Sequence, residues 1–165
     1  MRSKRLTFGL LIFYLLFLTW IIIFKLQYSL DTLPYIRNIN VIPFAQSVII
    51  NDRIQYSEII YNAIVFLPFG ILISILWEKK SFFIKVLPIF CTSLAFEIIQ
   101  FIFAIGATDI TDLLMNTLGG IVGVGLFYLI AAIWKKHCIV LINSIALLCA
   151  IGMTLFIGII LFFNL

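Results

Sequence analysis

Charge is what this sequence has least of. Only 11% of its 165 residues are Asp, Glu, Lys or Arg, and histidine occurs once. A water-soluble domain carries about 25% charged residues and about half apolar ones. Here 64% of the residues are hydrophobic and mean hydropathy is +1.25. Such a chain cannot cover itself with polar surface, so it is an integral membrane protein. Cysteine is scarce as well. Cys91 and Cys149 fall inside apolar runs and Cys138 at the end of one, which suggests no disulfide frame, and no CxxC or Cys/His spacing suggests zinc. A P-loop, a nucleophile elbow, a dinucleotide fingerprint and an internal repeat are all missing, and GGIVGVG lies within an apolar run rather than after a strand. His137, in the sequence WKKH, reads as a solvated helix-end cation. Nothing in the chain calls for a metal or a cofactor.

Long apolar runs are abundant. A hydrocarbon core of ~30 Å needs about 20 apolar residues at ~1.5 Å each. Five segments qualify, at about 6–24, 59–77, 82–103, 112–134 and 138–163. The expected fold is therefore all-α, a polytopic bundle of about five transmembrane helices in a single domain spanning 1–165. The first run follows MRSKR, exceeds the ~7–15 apolar residues of a signal peptide and has no small-residue cleavage site after it, so it reads as an uncleaved anchor.

The basic residues orient the bundle. Arg2, Lys4, Arg5, Lys79, Lys80, Lys85, Lys135 and Lys136 make eight of the 11 Lys and Arg residues, and all fall at one set of helix ends. The positive-inside rule places that side, with the N-terminus, in the cytoplasm and the C-terminus outside. This asymmetry accounts for the net charge of +4 without a nucleic-acid partner, for which one clustered basic face is needed.

Against this background the stretch 93–120, SLAFEIIQFIFAIGATDITDLLMNTLGG, is anomalous. Glu97 and Gln100 lie one turn apart on one face of the third helix, near its outer end. Asp109, Asp112 and Asn116 line a stripe at the start of the fourth, with Gly119 and Gly123 continuing it as a small-xxx-small step for close helix approach. Asn62 opens the second helix, ahead of Pro68 and Gly70. All fall in the outer leaflet. An ionisable group in a membrane helix costs about 2.5–3.5 kcal/mol to insert and is a functional-site hypothesis by default. Glu97 is the carboxylate that no plausible helix boundary places in water, so it must face the bundle. The short turn from Phe103 to Asp112 makes the third and fourth helices antiparallel neighbours whose polar stripes can meet. Asp109 and Asp112 also suit a solvated turn and a helix cap.

YNAIVFLPFG, FEIIQ and DITDLLMNTLGGIVG, with RNINVIPF before them, resemble in sequence and order the VanZ-like family of small bacterial membrane proteins. The resemblance covers a core of about 37–133 and adds Arg37, Asn40, Pro43 and Phe44 to the positions of interest. It implies a multi-pass protein of the bacterial cell membrane. Its founding member is associated with resistance to the glycopeptide teicoplanin. The chain departs from the family where Gly106–Ala107–Thr108 replaces a common arginine before the first aspartate, and where Thr111 replaces a common acid.

Two classes of function follow as expectations. In the first, Arg37, Asn40, Asn62, Glu97, Gln100, Asp109, Asp112 and Asn116 bind or shield an amphiphilic envelope ligand, a lipid-linked cell-wall precursor or a lipoglycopeptide, with membrane lipid around them. In the second, the chain is an intramembrane enzyme acting on a lipid-linked substrate, with Glu97 and Asp109 or Asp112 as acid/base groups or metal ligands. The segment 21–56 is expected to fold back onto the outer mouth as a short helical or re-entrant cap carrying Arg37, Asn40, Pro43 and Phe44.

Overall fold

The computed structural model describes residues 3–24, 36–44, 49–50, 53–54 and 56–164. Within them are five α-helices: α1 (Lys4–Ile22), α2 (Tyr56–Leu76), α3 (Phe82–Phe103), α4 (Ile110–Trp134) and α5 (Cys138–Asn164). The boundaries depart from the apolar runs by only a few residues. Four helical stretches, Lys4–Ile22, Ile59–Leu76, Phe82–Phe103 and Ile110–Ile159, are long and apolar enough to cross a membrane, and the all-α membrane bundle expected from composition is what forms. The helical path Ile110–Ile159 is continuous over 50 residues. At ~1.5 Å per residue it would measure about 75 Å, more than twice a hydrocarbon core. A single 3₁₀ turn, Lys135–His137, divides it into α4 and α5, with Lys135 at φ 45° redirecting the chain.

Lys4 Nζ lies 3.7 Å from Glu78 Oε2, so the start of α1 and the turn after α2 share one end of the bundle with the other basic residues. At the opposite end Gln100 donates to the carbonyl of Ile22, the last residue of α1, at 3.2 Å. Successive helices therefore alternate in direction. Lys85, one of the basic residues counted at this end, faces inward. It is fully buried, donates to the Tyr128 hydroxyl at 2.8 Å and sits 4.6 Å over that ring. An inward-facing position one turn into α3 leaves the ammonium only this cage and the Glu78 carbonyl to reach. A reporter fused after Leu165 should be active outside the cell and one fused at Lys80 active in the cytoplasm. The reverse pattern would turn the polar end toward the cytosol.

The largest interface joins α2 to α4, rather than α3 to α4. Glycine decides it. A Cβ on Gly119 would meet the Ala63 carbonyl oxygen at 1.9 Å, and one on Gly123 the Leu67 carbonyl oxygen at 2.2 Å. A Cβ on Gly70 of α2 would meet the Gly120 carbonyl oxygen at 2.0 Å. Backbone thus packs on backbone, where dispersion contacts replace the hydrophobic drive that lipid does not supply. Gly120, the next residue around α4, faces Ile89 of α3 instead. Tyr14 of α1 donates its hydroxyl to the Val65 carbonyl, tying α1 to α2. Thr7 donates to Asn143 Oδ1 at 2.9 Å, tying α1 to α5.

The expected helical or re-entrant cap is a strand. β1 (Ile36–Asn40) pairs in parallel with β4 (Ile105–Asp109), the connection between α3 and α4, running from Ile36 opposite Ile105 to Asn40 opposite Asp109. A second pair, β2 (Ile49–Ile50) with β3 (Arg53–Ile54), is antiparallel. The chain folds back onto the mouth as expected, but an extended segment satisfies its backbone groups by pairing with a neighbour strand, which a lone helical turn does not. The rest of the segment 21–56, beyond Ile21–Phe24 and these strands and turns, lies outside the described residues.

Candidate functional site

The polar end is built on α3. Ser93, Glu97 and Gln100 stand at i, i+4 and i+7, one stripe of the helix, and all three are buried. Glu97, 4% exposed, accepts from the backbone N–H of Asp109 at 3.0 Å through Oε2. Its own carbonyl accepts from the Thr108 hydroxyl at 3.2 Å. The end of β4 is thereby clipped to α3. Ala104 makes the sharp turn between them with φ 54°, a left-handed conformation that costs an L-residue about 1–2 kcal/mol.

Asp109 is the N-cap of α4. Its Oδ1 accepts from the Thr111 N–H at 2.7 Å and its Oδ2 from Asn40 Nδ2 at 3.1 Å. With both oxygens held, this carboxylate is a joint between β1, β4 and α4. Asn40 Oδ1 in turn accepts from the Ile42 N–H at 3.1 Å, and the Phe44 N–H donates to the Thr111 hydroxyl at 3.0 Å. Thr111 thereby supplies an acceptor to the turn after β1. One turn on, Asp112 accepts from Asn62 Nδ2 at 2.6 Å, joining α4 to the start of α2. Asn116, 1% exposed, donates to Ser93 Oγ at 3.0 Å.

The site residues expected from sequence are largely brought together. Asn40, Asn62, Glu97, Gln100, Asp109, Asp112 and Asn116 all sit at one end of the bundle, on α2, α3, α4 and the β1–β4 pair. The carboxyl groups of Asp112 and Asp109 lie within electrostatic range of Glu97. Arg37 is opposite Gly106 in the strand register, while its side chain lies outside the described residues. Glu97, Asp112 and Asn116 share the layer but each hydrogen bonds to a different partner. Three members were missed by sequence reading: Ser93, Thr108 and Thr111. Ser93 had a signal, since it lies four residues before Glu97 on the same stripe. The two threonines had none, because their partners are set by the strand pairing.

Two buried acceptors in this layer have no hydrogen-bond partner, Asn116 Oδ1 and Gln100 Oε1. Native structures leave few such atoms, and each costs about 1–3 kcal/mol. Among the described residues no three His, Cys, Asp or Glu side chains converge as a metal site requires. A separate cavity of about 390 Å³ opens between α1, α2, α4 and α5. Phe13, Tyr14, Pro68, Ile71, Ile130 and Met153 are among its walls, and none of the site residues reaches it.

These features define a class: an all-helical membrane protein with a buried acidic and amide layer at one end, closed over by a parallel strand pair. The VanZ/LLP1 family model matches residues 11–135. The chain is also 43% identical over 127 residues to Protein VanZ of Enterococcus faecium, covering 76% of this chain and 75% of that one. The chain belongs to the VanZ/LLP1 family. The match takes in most of α1 as well as the core 37–133 and stops at the turn before α5. No solved structure matches.

Proposed function

We propose that this chain is a multi-pass protein of the bacterial cell membrane that lowers susceptibility to glycopeptides of the teicoplanin type. It does so by binding or shielding an amphiphilic envelope ligand at its outer-leaflet polar layer. The ligand class is a lipid-linked wall precursor or a lipoglycopeptide, whose headgroup meets the polar layer while its chain stays in lipid. The observation that carries this reading is the buried layer itself. Polar groups that only glued helices together would pair among themselves, yet Asn116 and Gln100 each keep an unpaired oxygen in this layer. Family membership links the chain to resistance, and the positive-inside rule directs this end to the envelope. Catalysis by Asp109 is disfavoured because both its oxygens already hold the joint together.

The test is expression in a teicoplanin-susceptible bacterium, with membrane content checked by immunoblot. The inhibitory concentration of teicoplanin should rise and the amount of drug retained by the cells should change with it. Unchanged susceptibility with the protein present in the membrane would remove the proposal.

A further inference from the structure

The unpaired atoms at this site are acceptors, and that selects the chemistry of what binds. Gln100 Oε1 and Asn116 Oδ1 are both more than nine-tenths buried and without a donor. Glu97 stands between them on the α3 side, bringing a second carboxylate oxygen beside the Oε2 that accepts from Asp109. From Ser93, the residue bonded to Asn116, to Gln100 the column is about 10 Å deep at ~1.5 Å per residue. Asp109 and Asp112 lie within electrostatic range of it. A ligand that completes this column must supply N–H or O–H donors. It gains further if it carries positive charge, because buried carboxylates are tolerated when paired.

We infer that the site takes an amphiphile whose headgroup carries a protonated primary amine, the ammonium donating to Glu97 and to one of the two unpaired amide oxygens that flank it, Gln100 Oε1 or Asn116 Oδ1. This rests on the reading of the polar layer as a ligand site and names its ligand class. A sugar hydroxyl supplies donors without charge, and a quaternary ammonium supplies charge without donors. Of these three headgroups, only an ammonium bearing N–H groups does both.

Three amphiphiles of equal chain length separate these cases. The full chain in phosphatidylcholine nanodiscs, whose own headgroups lack N–H donors, is melted with dodecylamine, dodecyltrimethylammonium or dodecyl maltoside. Dodecylamine should raise the melting temperature saturably, by about 5–10 °C at roughly 100 times its Kd, and the other two should not. Of Gln100→Leu and Asn116→Leu, the one that removes the bonded oxygen should weaken amine binding about tenfold. If a variant fails to fold, the wild-type headgroup series, which needs neither, decides the inference.

An equal response to the trimethylammonium compound means that charge alone is read and overturns the inference. So does an equal response to the maltoside, or no response to any of the three. An amine response that survives both substitutions also overturns it, placing the amine elsewhere. Failure of this series with teicoplanin protection intact in cells would refute the ligand class alone. A clean amine series in a protein that gives cells no protection would refute the resistance reading alone.

Discussion

Gly119→Ala should leave little folded protein in the membrane, whereas Gly125→Ala should accumulate and melt like the parent chain. A single methyl on Gly119 would lie 1.9 Å from the Ala63 carbonyl oxygen, while nothing lies within 4 Å of one on Gly125. The obstacle is backbone, which cannot swing aside as a side chain would, so α2 and α4 must separate. Overpacking a rigid contact costs about 1–3 kcal/mol and at times more. Here the loss spreads along the interface, because Gly123 on Leu67 and Gly70 on Gly120 depend on the same separation. It also pulls Asp112 away from Asn62, bonded at 2.6 Å across the same two helices. The measurement is membrane yield and detergent melting for the two variants side by side. Equal behaviour would mean that α2 and α4 do not meet through Gly119.

Glu97→Gln should lose teicoplanin protection while keeping yield and melting near those of the parent. Glu97→Ala should lose both. The amide retains an oxygen for the Asp109 N–H, the 3.0 Å bond that clips β4 to α3, and is no worse in hydrocarbon than a carboxyl. It removes the group's ability to ionise. Alanine leaves that N–H unpaired beneath the strand pair, a penalty of about 1–3 kcal/mol, or a few degrees of melting for a chain of this size. Full protection by the Gln variant would make Glu97 a hydrogen-bonded lock, and the ligand would then be recognised by the amides alone.

The polar stripe was legible from the chain because its logic is local. Glu97 and Gln100 are one turn apart, as are Asp112 and Asn116, and an acid amid hydrocarbon announces an inward face whatever surrounds it. Gly119 and Gly123 were equally visible as a step for close approach. Which helix would fill that step was not visible. A short connection implied α3, yet the carbonyls of Ala63 and Leu67 show that α2 occupies it. Connection length sets which helices are antiparallel neighbours. The depth of each groove sets which pair comes closest, and α3 meets α4 through the bulky Ile89. Lys85 shows the same limit, since a charge next to a turn is ambiguous until its rotation about the helix is known.

By itself, the sequence determined the membrane class, the helical segments, the basic and polar ends and the acids and amides of the polar layer. Each of these depends on composition, or on spacing within one helix. The tertiary structure alone decided that Asn40 and Asp109 meet across the β1–β4 pair, that α2 fills the glycine face, and that Gln100 and Asn116 keep unpaired oxygens. Those facts need segments far apart in the chain to be brought side by side. The parallel partners Ile36 and Ile105 join across two intervening helices, α2 and α3, and no local pattern encodes a pairing that exists only once the bundle has closed.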